Sequence, residues 1–275
     1  MAGFKDNLQN DSKNFSMSKI GQYKEIANDA RKTVLRLIYN AQTSHIGSNF
    51  SVIDLMTVLF EKVDLDRDKV ILSKGWAAAA LYYFLWKKGR ITKEELESYC
   101  QPGSKFIGLA EPIIPEIPAA GGSMGFGLPS GVGFALAKKI NKEEGKIHVL
   151  MSDGEMQIGT TWESILIAKH HKLSNLVVWV DNNRFQAMGP TKEILDIELL
   201  EEKVKPFGWN VQRINGHDFE AMEAAFKNLG GEAPHMIICD TIKGKGWKRA
   251  ENNNLYHYKN ISKEEFNEAL SELNG

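Results

Sequence analysis

The chain has 275 residues, 43% of them hydrophobic and 25% charged, the composition of a globular protein with room for a full core. Lys plus Arg (34) nearly cancels Asp plus Glu (35), so no overall field draws the molecule to nucleic acid or an anionic membrane, and any basic site must be local. The two cysteines, Cys100 and Cys239, form neither a metal-type spacing nor a CxxC pair, which fits a reduced, cytoplasmic compartment.

Residues 1–20 are polar, with no apolar signal-type segment, and read as a leader before a single domain over 21–275. No apolar run approaches the roughly 18 residues that span a bilayer. From about 21 to 42, Ile26, Ala30, Val34, Leu35 and Ile38 recur at the spacing of an amphipathic helix. A second helix is expected over Val52–Val63, after a polar turn TSHIGSNFS that carries His45. KVILSKG reads as a buried strand with a Ser-Lys-Gly turn, WAAAALYYFLWKK as a helix, and Thr92 with Glu95 as a capping box. Pro112, Pro115 and Pro118 exclude regular structure from the stretch Pro102–Pro129, which reads as a long, ordered, site-forming loop. Then come a helix over about Ser130–Ile140, strand IHVLMS, a helix over about Thr160–Lys172, and strand LVVWVD. Strand WNVQRI, a helix capped by Asp218, strand HMIICDTI and a final helix capped by Ser262 and Glu265 complete the chain. The alternation of strands and helices indicates an α/β fold with a parallel sheet.

Asp153 stands just past the end of one expected strand, and Asn182 and Asn183 just past the next. A right-handed crossover puts consecutive parallel strand ends on one edge of the sheet, the edge where such folds bind ligands. A hard cation such as Mg²⁺ takes oxygen ligands, and Asp153, the Asn183 amide oxygen and the Phe185 carbonyl are suited to supply them. Gly154 permits close backbone approach to a diphosphate. Each of D-G and N-N alone is an ordinary turn signal; their combination at this spacing is what argues for a site.

The run MSDGEMQ…WVDNN resembles the thiamine diphosphate motif of transketolases, GDG followed by NN, with Ser152 in place of the first glycine. SHIGS, ILSKGWAAAALY, GGSMGFGLPSGVGFALA and TIKGKGWKRAENNNLYHYK are similar to further transketolase segments in the same order, so the resemblance covers about residues 21–260. It implies a three-layer thiamine diphosphate-binding fold with a mostly parallel central sheet. It also implies a metal (Mg²⁺, or Ca²⁺ or Mn²⁺) on Asp153, Asn183 and the Phe185 carbonyl, and a diphosphate against the Gly154 and Glu155 backbone and His257. Gly122 and the Met124 backbone would meet the aminopyrimidine, and His45, with His257, would act at the reacting carbon. Lys74, Lys243 and Lys245 read as either phosphate-facing or solvated, Lys243 being the one assigned to the cofactor. Glu163 corresponds to a glutamate buried at the family's subunit interface, against the plain reading of a solvent-facing helix position.

Three positions depart from the family pattern. Trp76 and Leu109 stand where histidines are usual, and Ile158 where a glutamate is. Leucine forms no hydrogen bond and indole only donates, so a changed donor, such as a deoxygenated or modified sugar, is expected. Thiamine diphosphate activation in the family also needs a glutamate from a pyrimidine-binding domain. The expected arrangement is therefore a separately encoded partner subunit, an α2β2 assembly, and ketol transfer between sugars. A 2-oxo acid decarboxylase or carboligase subunit and a non-catalytic scaffold are the alternatives. A dinucleotide-dependent dehydrogenase is disfavoured, because GFGLPSG follows IIPEIPAAGGS, which cannot be the strand its fingerprint requires.

Overall fold

The computed structural model describes residues 17–275, so most of the leader expected over 1–20 lies outside the described residues. Helix α1 (Lys19–Ala41) begins slightly before residue 21, capped by the Ser18 hydroxyl accepting from the Gly21 amide at 3.1 Å. Among the described residues five strands make one sheet in the order β1-β2-β3-β5-β4. They are β1 (Lys69–Leu72), β2 (Ile147–Ser152), β3 (Leu176–Asn182), β4 (Asn210–Asn215) and β5 (His235–Asp240). Every pairing is parallel, so the sheet expected to be mostly parallel is parallel throughout. Strand β3 is buried along its whole length, as its unbroken apolar run demands of a central strand covered on both faces.

Two cores give three layers. Alternate side chains Leu150, Val177, Trp179 and Ile237 face α1, α2 (Ile46–Lys62), α3 (Ala78–Lys87) and α9 (Phe219–Lys227). Their neighbours Val149, Met151, Val178 and Ile238 face α5 (Gly127–Asn141), α6 (Gly159–His170) and α8 (Leu200–Val204). Two short helices, α4 (Lys93–Glu97) and α7 (Thr191–Ile194), edge this body, and α10 (Lys263–Asn274) packs on α1. The capping boxes expected at Thr92 and Ser262 are both formed.

Two helix starts differ from expectation by three residues or more. Helix α2 begins at Ile46 rather than Val52, so most of the TSHIGSNFS turn is helical, and Ile46 through Phe60 are all buried. Gly, Ser and Asn cost up to about 1 kcal/mol each in a helix interior, whereas burying Ile46, Phe50 or Ile53 returns roughly 1.5–3 kcal/mol apiece. Burial wins. Helix α5 starts at Gly127 rather than Ser130, because Pro129 falls in the first turn, where no intrahelical N–H is required. Among the described residues no helix is long and apolar enough to cross a membrane.

Candidate active site

The chain segments leaving β1, β2, β3 and β5 at their C-terminal ends converge on one cavity of about 510 Å³, lined by His45, Gly122, Met124, Glu155, Phe185 and His257 among others. Asn182 is the last residue of β3 rather than beyond it, and Asn183 follows immediately at the cavity wall. Asp153, fully buried, meets this segment: its Oδ2 accepts from the Arg184 amide at 2.6 Å and its Oδ1 from the Gly154 amide at 2.8 Å. The strand-end convergence expected of Asp153 and Asn183 is thus formed.

The donor set suits a divalent cation. Among the described residues no basic side chain bonds Asp153, and burial, reinforced by the Asp181 charge, pushes its carboxyl up to about 7, so a cation would restore the carboxylate. Asn183 Oδ1 accepts only the Phe185 amide, at 3.0 Å, leaving a lone pair. Among the described residues no cluster of three or more His, Cys, Asp or Glu side chains has metal-binding geometry. One carboxylate, an amide oxygen and a backbone carbonyl, completed by phosphate oxygens, is the set a hard Mg²⁺-type ion accepts. At Gly154 an added Cβ would lie 3.2 Å from Gln186 Cβ and 3.3 Å from Met124 Cε, so a side chain here would press on two residues that line the cavity.

Glu155 has a second role that sequence reasoning missed. Its buried carboxylate accepts from the Ser73 hydroxyl, from the Gly125 amide at 3.2 Å and from the Ser152 amide at 2.8 Å, tying three segments together. Burial pushes its carboxyl up against these hydrogen bonds, which favour the charged form. Ser152, at the departing motif position, has φ −89° and ψ 160°, ordinary extended backbone, and forms a reciprocal capping box with Glu155. Glycine is not required there.

His45 caps α2 in a left-handed conformation, φ 71°, a strain that a non-glycine residue adopts only where its surroundings hold it. Its Nδ1 meets Ser44 Oγ at 2.7 Å, and its amide donates to the His257 carbonyl at 3.1 Å. Asn49, also unanticipated, donates to the His45 carbonyl at 2.9 Å and the Trp76 carbonyl at 3.1 Å, while its Oδ1 accepts the Ala80 amide at 3.0 Å. Nothing in sequence spacing marks this asparagine, in the first turn of α2, as a clamp. The His45 ring lies 4.8 Å from His257 and stacks on Trp76.

Burial and the Lys243 charge push His45 down to about 4 and His257 to about 3, so both are neutral imidazoles near pH 7. Lys243 Nζ donates to His257 Nδ1 at 2.9 Å and Asn254 Oδ1 at 2.7 Å, which leaves the His257 proton on Nε2. Lys243 is itself lowered to about 8 by burial and the nearby Lys74 charge. Gly47 makes room for it, since a Cβ there would lie 3.2 Å from Lys243 Cγ. Of the three lysines read as phosphate-facing or solvated, Lys74 is neither solvated nor free: it is buried in an ion pair with Asp181. Lys245 lies apart, in a surface ion pair with Glu251 at 3.6 Å. Glu163 is exposed on the outer face of α6.

The family model for the thiamine diphosphate-binding domain of transketolase matches residues 22–274. The chain belongs to the transketolase family. It is 33% identical over 254 residues to a protein of Phocaeicola vulgatus named as one subunit of an apulose-4-phosphate transketolase, covering 88% of this chain and 90% of that protein. It is 33% identical over 260 residues to the 6-deoxy-6-sulfo-D-fructose transketolase subunit SqwG of a Clostridium species, covering 90% and 94%. The structure superposes on Campylobacter jejuni transketolase with a TM-score of 0.85 at 26% identity, over 92% of this chain and 43% of that one. The chain therefore spans less than half the length of that solved transketolase and nearly all of the two subunit relatives.

Proposed function

We propose that this chain is the diphosphate-binding subunit of a two-component, transketolase-like transferase that moves a two-carbon ketol unit between sugars. The observation that carries this reading is the meeting of Asp153 with the Asn183–Phe185 segment beside two neutral imidazoles, on a family member that matches proteins named as subunits along nearly their whole length. In this reading Asp153, Asn183 and the Phe185 carbonyl hold Mg²⁺ (or Ca²⁺ or Mn²⁺). Gly154, the Glu155 backbone, His257 and Lys243 face the diphosphate, and Gly122 and Met124 the aminopyrimidine.

Bound there, thiamine diphosphate would supply the electron sink that lets a carbon–carbon bond beside a carbonyl break. The chain's own groups handle protons and position. Neutral His257 presents an N–H at Nε2 because Lys243 occupies Nδ1, and His45 keeps Nε2 free to exchange a proton with a sugar hydroxyl. The partner is a separately encoded pyrimidine-binding subunit in an α2β2 assembly, and the compartment is the cytoplasm. Exposed Phe126, Leu166 and Ile167 support a covered face, being large apolar side chains outside either core. The test is co-expression with that partner, measurement of thiamine diphosphate and metal in the purified complex, and assay of ketol transfer from a ketose panel to an aldose. A complex that binds the cofactor yet turns over 2-oxo acids and no ketose would move the assignment to decarboxylation or carboligation; one that binds no cofactor would move it to a scaffold.

A further inference from the structure

The loop that follows β5 carries Lys243, whose Nζ donates to His257 Nδ1, and three anchors from other elements grip it on both sides of that lysine. The Ile242 amide donates to His217 Nε2 at 2.8 Å, the Gly244 amide to the Gly47 carbonyl at 3.0 Å, and Arg31 Nε to the Lys245 carbonyl at 2.8 Å. Buried Asp54 joins two of the three. Its Oδ1 and Oδ2 accept from Arg31 Nη1 and Nη2 at 2.8 Å each, and its Oδ2 lies 2.7 Å from His217 Nδ1. A peptide N–H only donates, so His217 accepts at Nε2, carries its ring proton on Nδ1 and donates that proton to Asp54. One unbroken chain of hydrogen bonds therefore runs from the Lys245 carbonyl through Arg31, Asp54 and His217 to the Ile242 amide.

Glycines let the loop lie this close. A Cβ on Gly246 (φ 102°) would lie 2.9 Å from Arg31 Cδ, and one on Gly216 would lie 2.5 Å from Thr241 Cγ2, where the turn bearing His217 packs on the loop. None of Arg31, Asp54 and His217 lines the cavity. A buried Arg–carboxylate pair contributes little net stability over apolar groups of the same volume, but its two parallel bonds fix a direction. Here the directed bonds end on the peptide groups one residue before and two residues after Lys243. The lysine they bracket is itself buried, with acceptors at Asn254 Oδ1 and His257 Nδ1.

We propose that His217, held by Asp54 and Arg31, is a positioning residue that aims Lys243 and so keeps the proton of His257 on Nε2. Its consequence for catalysis rests on the transferase reading above; the tautomer of His257 is a property of this chain alone.

Ring-nitrogen NMR shifts of the isotope-labelled chain near neutral pH should show Nδ1–H on His217 and Nε2–H on His257. His217→Phe leaves Arg31 paired with Asp54 but removes the acceptor of the Ile242 amide, and His257 should then populate both tautomers. His217→Gln offers one acceptor and one donor at a spacing close to that of the two ring nitrogens, and should return His257 to Nε2–H. In the complex with the pyrimidine-binding subunit, His217→Phe should weaken thiamine diphosphate binding about tenfold, the equivalent of one misplaced hydrogen bond, and His217→Gln far less. Lys243→Met should weaken it as well, and adding His217→Phe to that variant should weaken it no further, because the one residue acts through the other. A His257 tautomer unmoved by His217→Phe, or losses of cofactor affinity that add in the double variant, would overturn the proposal, since His217 would then serve folding alone. A complex that cleaves no ketose, in a chain whose His257 tautomer still answers His217→Phe, would remove the transferase reading and leave the positioning role standing.

Discussion

Lys74 and Asp181, 107 residues apart in the chain, form an ion pair in the interior between the ends of β1 and β3. Asp181 also accepts from Ser51 Oγ at 2.6 Å, from the Thr241 hydroxyl and from Asn183 Nδ2 at 3.3 Å. Burial opposes its charge, but Lys74 and these donors hold its carboxyl below the ordinary range. An acceptor-only carboxylate obliges Asn183 to turn its NH₂ toward Asp181 and its carbonyl oxygen away.

Lys74→Met should therefore strand a buried charge and cost about 3–5 kcal/mol, because removing one partner of a buried pair leaves the other uncompensated. Adding Asp181→Leu should recover part of that loss, which denaturant unfolding of the two variants would show. Additive losses would mean that the pair is not coupled.

Asp153→Ala should cost less than Lys74→Met. It removes a buried carboxyl with no basic partner among the described residues but leaves the Arg184 and Gly154 amides without their acceptor, so the thermal midpoint of the cofactor-free protein should fall only modestly, while Mg²⁺-dependent thiamine diphosphate binding by the assembled complex falls by at least a hundredfold. Isothermal titration with and without Mg²⁺ separates the two effects.

Asn49→Ala should strand the Ala80 amide and the Trp76 carbonyl, while the His45 carbonyl keeps the residue-49 amide, for a loss of about 3 kcal/mol at roughly 1–3 kcal/mol per buried group. Freed of its clamp, His45 should titrate closer to its ordinary value than the present value of about 4, as histidine NMR shifts against pH would record.

Acid should unfold the protein in two stages. His148, 2% exposed, accepts from Trp179 Nε1 at 3.1 Å, and burial pushes its imidazole down to about 4. The unfolded chain binds the proton first, so this contribution is complete above about 6.5 and lost as pH falls toward 4, on the order of 3 kcal/mol in all. Asp54 is buried, yet the Arg31 charge and bonds from His217 and Arg31 hold it at about 2, so its contribution is present above 3.8 and lost below that. Stability measured against pH should decline through the first window, to which His45 and His257, held at about 4 and 3, also contribute and which Asp153, raised to about 7, opposes, and His148→Phe should make that decline shallower while leaving the fall below 3.8.

Leu166 and Ile167, 60% and 46% exposed beside Glu163, should matter to assembly and not to folding. Leu166→Asp with Ile167→Asp should change unfolding free energy by less than about 1 kcal/mol. It should weaken binding to the pyrimidine-binding subunit by more than a hundredfold in sedimentation or light-scattering titrations. Unchanged assembly would place the interface elsewhere.

What the amino-acid order determined by itself was the succession of strands and helices and the meeting of Asp153 with Asn183. Both follow from local rules: apolar runs make buried strands, and consecutive parallel strands end on one edge. Tertiary packing alone decided that α2 begins at Ile46, that Lys74 is spent on Asp181 rather than solvated, and that Asn49 clamps His45 to Trp76. Each of these depends on which groups lose water together. Burial turns a local helix penalty into a net gain and makes a distant charge or carbonyl the only partner left, and no spacing within a segment records that choice.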